Sequence, residues 1–164
     1  RYTMSPLSVL AASLTVLVYC TLLPIDQTVG KTFDECELAQ YLAGKSVIKK
    51  ADIPTWVCIA TVASNRNSDK ISMPDINGIS DHGIFQINQV YWCTASGPAG
   101  KGCNSTCAAF EDDDISDDVD CVAHIYALRK MDGHDGFSAW MSAYGDSCSS
   151  PEKVNAYLEK CYCP

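Results

Sequence analysis

The stretch Ser80-Asp81-His82-Gly83-Ile84-Phe85-Gln86-Ile87-Asn88 decides how this chain is read. It carries short apolar runs broken by amides and a glycine. From Asn65 to Gln89 the residues Asn, Asp, Ser and Gly cluster around such runs, which predicts a small antiparallel hairpin region. Helical spacing lies on either side. Upstream, Asp34-Glu35 precedes Cys36, Leu38, Ala39 and Leu42, with acidic residues in the first turn and Gly44 as a stop. Pro54 opens a second helix carrying Trp56, Val57, Ile59, Ala60 and Ala63, because a first-turn proline loses no hydrogen bond. Downstream comes a cysteine-rich loop turning at Gly97-Pro98-Ala99-Gly100, then a third helix with Cys121, Val122, Ile125 and Leu128 on one face. Phe137 to Tyr144 forms a fourth short segment, and Val154 to Leu158 a last turn. There is no internal repeat and no linker. The expected class is α+β, with helices at both ends and a small sheet inserted.

The chain has 164 residues, of which 47% are hydrophobic, with 12 Lys+Arg against 20 Asp+Glu and a net charge of -8. That is enough for one core and too apolar for a disordered chain. No Lys/Arg cluster could neutralise a row of phosphates, which argues against a nucleic-acid binder. The same charge is a poor match to anionic bacterial envelopes. Residues 1–30 read as a secretory signal: Leu7 to Leu23 is largely apolar, Pro24 ends the run, and a small residue, Gly30, offers a cleavage point. The competing reading, a membrane anchor, is disfavoured by the run's length and the lack of a basic stop-transfer flank. The expectation is a secreted, extracellular, monomeric domain over 31–164 with no membrane attachment after cleavage.

Removing the signal takes Cys20 from the ten cysteines and leaves nine: Cys36, Cys58, Cys93, Cys103, Cys107, Cys121, Cys148, Cys161 and Cys163. In a secreted chain this density predicts a disulfide framework. The rival, zinc, would need CxxC pairs, which are absent. Spacing alone does not give the connectivity.

The chain resembles the c-type lysozymes and alpha-lactalbumins, glycoside hydrolase family 22, over nearly all of 31–164. The resemblance is carried by Lys31-Thr32-Phe33 with Cys36-Glu37-Leu38-Ala39, by Trp56-Val57-Cys58-Ile59-Ala60, by the Asp81 to Asn88 segment, and by Tyr91-Trp92-Cys93. Cys103, Cys107, Cys121, Ser138-Ala139-Trp140 and Cys148 follow at the family's intervals. It implies a helical subdomain and a small β subdomain with a cleft between. It also implies the bridges Cys36–Cys161, Cys58–Cys148, Cys93–Cys107 and Cys103–Cys121. Cys163 is additional to the pattern and leaves open which tail cysteine meets Cys36.

Glycoside hydrolysis of this kind needs two carboxyl groups, one protonated to donate to the leaving oxygen and one ionised to support or attack the sugar. The resemblance places the acid five residues after Cys58, where this chain has Ala63, and no Asp or Glu lies between Asp52 and Asp69. The second carboxylate is present as Asp81. Loss of a general acid costs on the order of 10² to 10⁴ in rate. Asp69, Asp75 and His82 are the conceivable substitutes. Gln86, Asn88, Tyr91, Trp92, Ala139 and Trp140 match positions with which the family lines its sugar site. Trp92 and Trp140 read equally as core residues, and Asp81 as a hairpin hydrogen-bonding residue.

Glu111, Asp112, Asp113, Asp114, Asp117, Asp118 and Asp120 put seven carboxylates within ten residues, between Cys107 and Cys121. Such a run is usually a solvated face. Here the flanking bridges hold the charges together, and charges about 5 Å apart at an effective dielectric near 20 repel by roughly 3 kcal/mol per pair. The helix N-terminus after Ser116 relieves part of this, and a hard cation would relieve more. The spacing is not that of an EF-hand. The resemblance implies the calcium loop of alpha-lactalbumins and calcium-binding lysozymes, with side-chain ligands Asp112, Asp117 and Asp118 and carbonyl ligands Ala109 and Asp114. Asn104-Ser105-Thr106 is a glycosylation sequon.

Three functions follow. One is a lysozyme-like pseudoenzyme that binds bacterial cell-wall or chitin-like oligosaccharide, with a role in innate, antibacterial immunity. The second is an active lysozyme with a substitute acid. The third is a partner-modulating protein like alpha-lactalbumin. The first is preferred, on Ala63.

Overall fold

The computed structural model describes residues 30–159 and 161. The expected signal before Gly30 and the extra Cys163 lie outside the described residues. Helix α1 spans Glu35–Ala43: the Asp34 side chain accepts from the Cys36 N–H, Glu35 and Glu37 fill the first turn, and Leu38 and Leu42 are buried one turn apart. A 3₁₀ turn over Lys50–Asp52 leads into α2, Ile53–Ser64, with Pro54 in its first turn. Asn65 stops α2 in the left-handed region at φ 55°, a conformation its short amide tolerates better than most side chains. Seven of the twelve α2 residues are buried, which makes this the central helix of the core.

The hairpin is small. Strand β1, Asp81–His82, pairs antiparallel with β2, Ile87–Asn88, in the register Asp81–Asn88 and His82–Ile87, and Ile71 bridges to His82 on the other edge. A second pair lies where the sequence reads as a cysteine-rich loop: β3, Cys93–Thr94, runs parallel to β4, Ser105–Thr106. Two residues per strand are too few to show an alternating pattern. The ends are brought together by the Cys93–Cys107 bridge.

Helix α3, Ser116–Met131, follows a 3₁₀ segment at Cys107–Glu111. Asp117 and Asp118 lie in its first turn and Arg129 and Lys130 in its last, charges matched to the helix ends. The predicted fourth segment is a 3₁₀ turn, Gly136–Trp140, then the short α4, Met141–Ala143, and a wide π turn, Tyr144–Cys148. Helix α5, Pro151–Glu159, is longer than the predicted last turn. Only Val154 and Leu158 of it are buried, so most of its length is polar and gave no apolar signal. The bridges are Cys36–Cys161, Cys58–Cys148, Cys93–Cys107 and Cys103–Cys121, as the resemblance implies.

Trp56 of α2 joins the two halves. Its ring is 2% exposed and meets Phe85 of the hairpin at 5.8 Å and Phe137 and Trp140 at 4.9 Å each, all edge to face. Such pairs add about 0.5–1.5 kcal/mol each beyond area burial. They fix the hairpin against the helices and so set the walls of the groove between them. Among the described residues no helix is long and apolar enough to cross a membrane.

Candidate functional site

A cleft of about 760 Å³ opens between the subdomains. The end of α2 supplies Val62 and Ala63, the hairpin supplies Asp81, Gln86, Ile87 and Asn88, and Tyr91 and Trp92 close one side. Ile125 and Arg129 of α3, with Ser138, Ala139, Trp140, Ser142 and Ala143, complete the lining. All eight residues predicted for the catalytic and sugar positions therefore meet in one groove.

Asp81 is held from two sides. Its N–H donates to Ser72 Oγ at 2.8 Å, and its Oδ1 accepts from Asn88 Nδ2, its cross-strand partner, at 2.6 Å. The hairpin hydrogen bond and the cleft position thus coexist. Asn88 Oδ1 in turn accepts from the Val90 N–H at 2.9 Å. Gln86, at φ 52°, uses its amide N–H groups on the Lys70 and Gly83 carbonyls at 2.8 and 2.9 Å. Its amide donors are therefore committed to shaping the loop.

The aromatic positions divide. Tyr91 is 67% exposed and free to stack on a flat ligand face. Trp92 is half-buried and packed on Gly102, where any Cβ would collide with its ring. Trp140 is 8% exposed, donates from Nε1 to the Phe85 carbonyl at 3.0 Å and packs on Trp56, so it belongs to the core and gives the cleft only an edge.

Ala63 presents a methyl group to the cleft. None of the three conceivable substitutes lines it. Asp69 accepts from the Gly30 N–H at 2.7 Å. Asp75 accepts from the Asn77 and Ile79 N–H groups of its own loop at 2.8 and 2.9 Å. His82 is buried between Glu111 and Gln89. Among the described residues Asp81 is the only carboxylate lining the cleft. Sequence reasoning missed Arg129. The available signal was helical spacing, since Arg129 is one turn beyond the buried Ile125 on the same face of α3.

The acidic loop lies apart from the cleft, and the side-chain oxygens of Asp112, Asp117 and Asp118 do not all lie within 4.8 Å of one another. Asp118 is 1% exposed, and neither of its carboxylate oxygens has a hydrogen-bond partner. Burial, then the Asp117 charge, holds this carboxyl well above the usual range, with weaker help to the charged form from nearby backbone N–H groups, including that of Ile84. Burial also raises Asp117, with the Asp112 and Asp114 charges adding to it. Asp112 and Asp114 are exposed and turn to the N–H groups of Asp114 and Ser116 at 2.8 and 3.1 Å. Asp113 points elsewhere, accepting from the Lys31 N–H and Ser68 Oγ, each at 2.7 Å. A buried, unpartnered carboxylate is costly, and an all-oxygen donor set suits a hard cation. Within 4.8 Å of one another lie the ligand atoms of only one group of potential metal-binding side chains among the described residues: His82, Cys93 and Cys107. Two of these are bridged to each other and offer no thiolate.

A model of the C-type lysozyme/alpha-lactalbumin family matches residues 31–161. The milk isozyme of lysozyme C from Canis lupus familiaris is 36% identical over 134 residues, which cover 80% of this chain and 98% of that protein. Among solved structures, a lysozyme from Litopenaeus vannamei aligns with TM-score 0.71 at 32% identity over 82% of this chain and 99% of that one. A calcium-binding lysozyme from equine milk aligns with TM-score 0.66 at 30% identity over 81% and 100%. With its four bridges and the groove between helices and hairpin, the chain belongs to the C-type lysozyme/alpha-lactalbumin family.

Proposed function

We propose that this chain is a secreted saccharide-binding member of its family that does not cleave the sugar. One observation carries the reading: the cleft sets the Asp81 carboxylate beside the methyl group of Ala63, and among the described residues no second carboxyl lines it. Cleavage of a glycosidic bond needs a proton for the departing alkoxide while the other carboxylate stays ionised. Asp81, bonded to Asn88, supplies one half of that pair. The groove retains what binding requires, an exposed Tyr91, the Trp92 edge and a polar floor. Its ligand is an oligosaccharide of the bacterial cell wall or of the chitin type, and its setting is extracellular antibacterial defence.

The acidic loop serves stability. Asp112, Asp117 and Asp118, with the carbonyls of Ala109 and Asp114, would hold a calcium ion. Bound there, calcium would give both Asp118 carboxylate oxygens the partner they lack and would favour the charged form against its burial.

The test is a turbidity assay on bacterial cell walls, run with the protein and with Ala63→Glu, beside retention on insoluble peptidoglycan and chitin. The protein is retained without clearing the suspension. Clearing by the unaltered protein would refute the non-catalytic reading. Absence of retention on both polymers would refute saccharide binding and favour a role in modulating a protein partner.

A further inference from the structure

Among the described residues two charged side chains line the cleft, Asp81 and Arg129. They do not pair with each other: Asp81 Oδ1 accepts from Asn88 Nδ2, and Arg129 turns to Ser138. Arg129 is half-buried, and its Nε donates to Ser138 Oγ at 3.1 Å. Ser138 is itself fixed in the 3₁₀ turn, its N–H donating to the Asp135 carbonyl at 2.9 Å. The guanidinium is thus anchored at one of its five N–H groups. The other four, on the two Nη atoms, have no acceptor among the described residues. An arginine fork held by its Nε and facing a groove fits a carboxylate with two parallel hydrogen bonds. Asp81 is already committed to Asn88, and no other acid in the groove competes for the fork.

We propose that Arg129 is a specificity-determining residue that reads a carboxylate on the bound saccharide. The favoured ligand is then an N-acetylhexosamine oligomer bearing carboxyl groups, such as a lactyl ether, rather than a neutral chitin oligomer. This rests on the saccharide-binding reading above. The net charge of -8 opposes an anionic ligand at long range, but at physiological salt that repulsion is screened beyond about 8 Å. A contact pair in a half-buried groove is screened much less. The alternative role for Arg129 is to complement the C-terminal end of α3, which would affect stability and not ligand choice.

The experiment is calorimetric titration of the processed protein with two tetrasaccharides of equal length. One is neutral chitotetraose; the other alternates N-acetylglucosamine with N-acetylmuramic acid. The acidic oligomer binds about tenfold more tightly, a difference of ~1.4 kcal/mol. In Arg129→Ala that preference vanishes and the two oligomers bind alike. Arg129→Lys, a point charge without the fork, keeps only part of it. Equal binding of both oligomers by the unaltered protein, or a preference that survives Arg129→Ala, overturns the assignment while leaving saccharide binding intact. Failure to bind either oligomer overturns both the assignment and the saccharide reading. A melting curve for each variant separates the helix-end role, because loss of stability with an unchanged preference assigns Arg129 to α3 alone.

Discussion

His82 Nδ1 lies 2.6 Å from Glu111 Oε1, a pairing that ties the cleft hairpin to the segment leading into the acidic loop, 29 residues away in sequence. The other ring nitrogen, Nε2, faces Gln89 Oε1 at 3.2 Å, and the Gln89 amide N–H is anchored on the Gly78 carbonyl at 3.0 Å. The imidazole is buried, so its partners cannot be exchanged for water without cost. His82→Ala should lower stability by about 1–3 kcal/mol, because it strands Glu111 and opens a gap beneath β1. Urea denaturation checks this, and an unchanged midpoint would show the pair to be energetically idle.

The buried Asp118 carboxylate sets a second expectation. A ligand at 100 times its dissociation constant stabilises by about 2.7 kcal/mol. For a domain of this size that corresponds to a Tm rise of roughly 5–11 °C. Scanning calorimetry in millimolar calcium and in chelator measures it. In Asp118→Asn the calcium response should disappear, while the midpoint in chelator should not fall below that of the parent, since an amide is cheaper to bury than an unpaired charge. A parent midpoint indifferent to calcium would count against the cation.

Gly102 supports Trp92 by having no side chain. Because a Cβ there would run into the indole, Gly102→Ala must push Trp92 toward the cleft or strain the β3–β4 loop. The expected loss of stability is about 1–3 kcal/mol, the range for overpacking. Indole fluorescence should shift, and retention on peptidoglycan should weaken. A variant with the parent's spectrum and retention would show that the loop gives way freely.

Tyr144 supplies the pH dependence. Burial, then its hydrogen bond to Asp135 Oδ2 at 2.8 Å and the Asp135 charge, pushes its hydroxyl up to about 12. A folded-state value above the unfolded value, roughly 10, means the group favours the native state below pH ~10. That contribution is lost as the pH rises through the folded value. Titration at 295 nm should show one tyrosine ionising only near 12, and that late phase should be missing in Tyr144→Phe. If both proteins titrate identically, the contact with Asp135 does not persist in solution.

Much of the fold was legible because local chemistry and the core agree on it. Acidic residues open α1 and Gly44 stops it, Pro54 starts α2 and an acidic run leads into α3, each a choice a few neighbouring residues can enforce. The full length of α5 and the β3–β4 pair were not legible. The first buries only two side chains, and the second is held by bridges between cysteines 14 and 18 residues apart.

The order of residues alone determined that a methyl group stands at position 63, that Asp81 lies in a hairpin and that seven acids crowd between two cysteines, since these are matters of identity and spacing. Only the folded chain decided what those residues meet. It placed Arg129, anchored by Ser138, in the cleft. It buried one acid of the run, Asp118, without a partner and turned another, Asp113, to the Lys31 N–H and Ser68. It also set most of Trp140 in the core while leaving it at the lining of the groove. Burial and partner choice depend on which distant segments close over a side chain, and that information is in the packing of α2, α3 and the hairpin around Trp56, not in any local stretch.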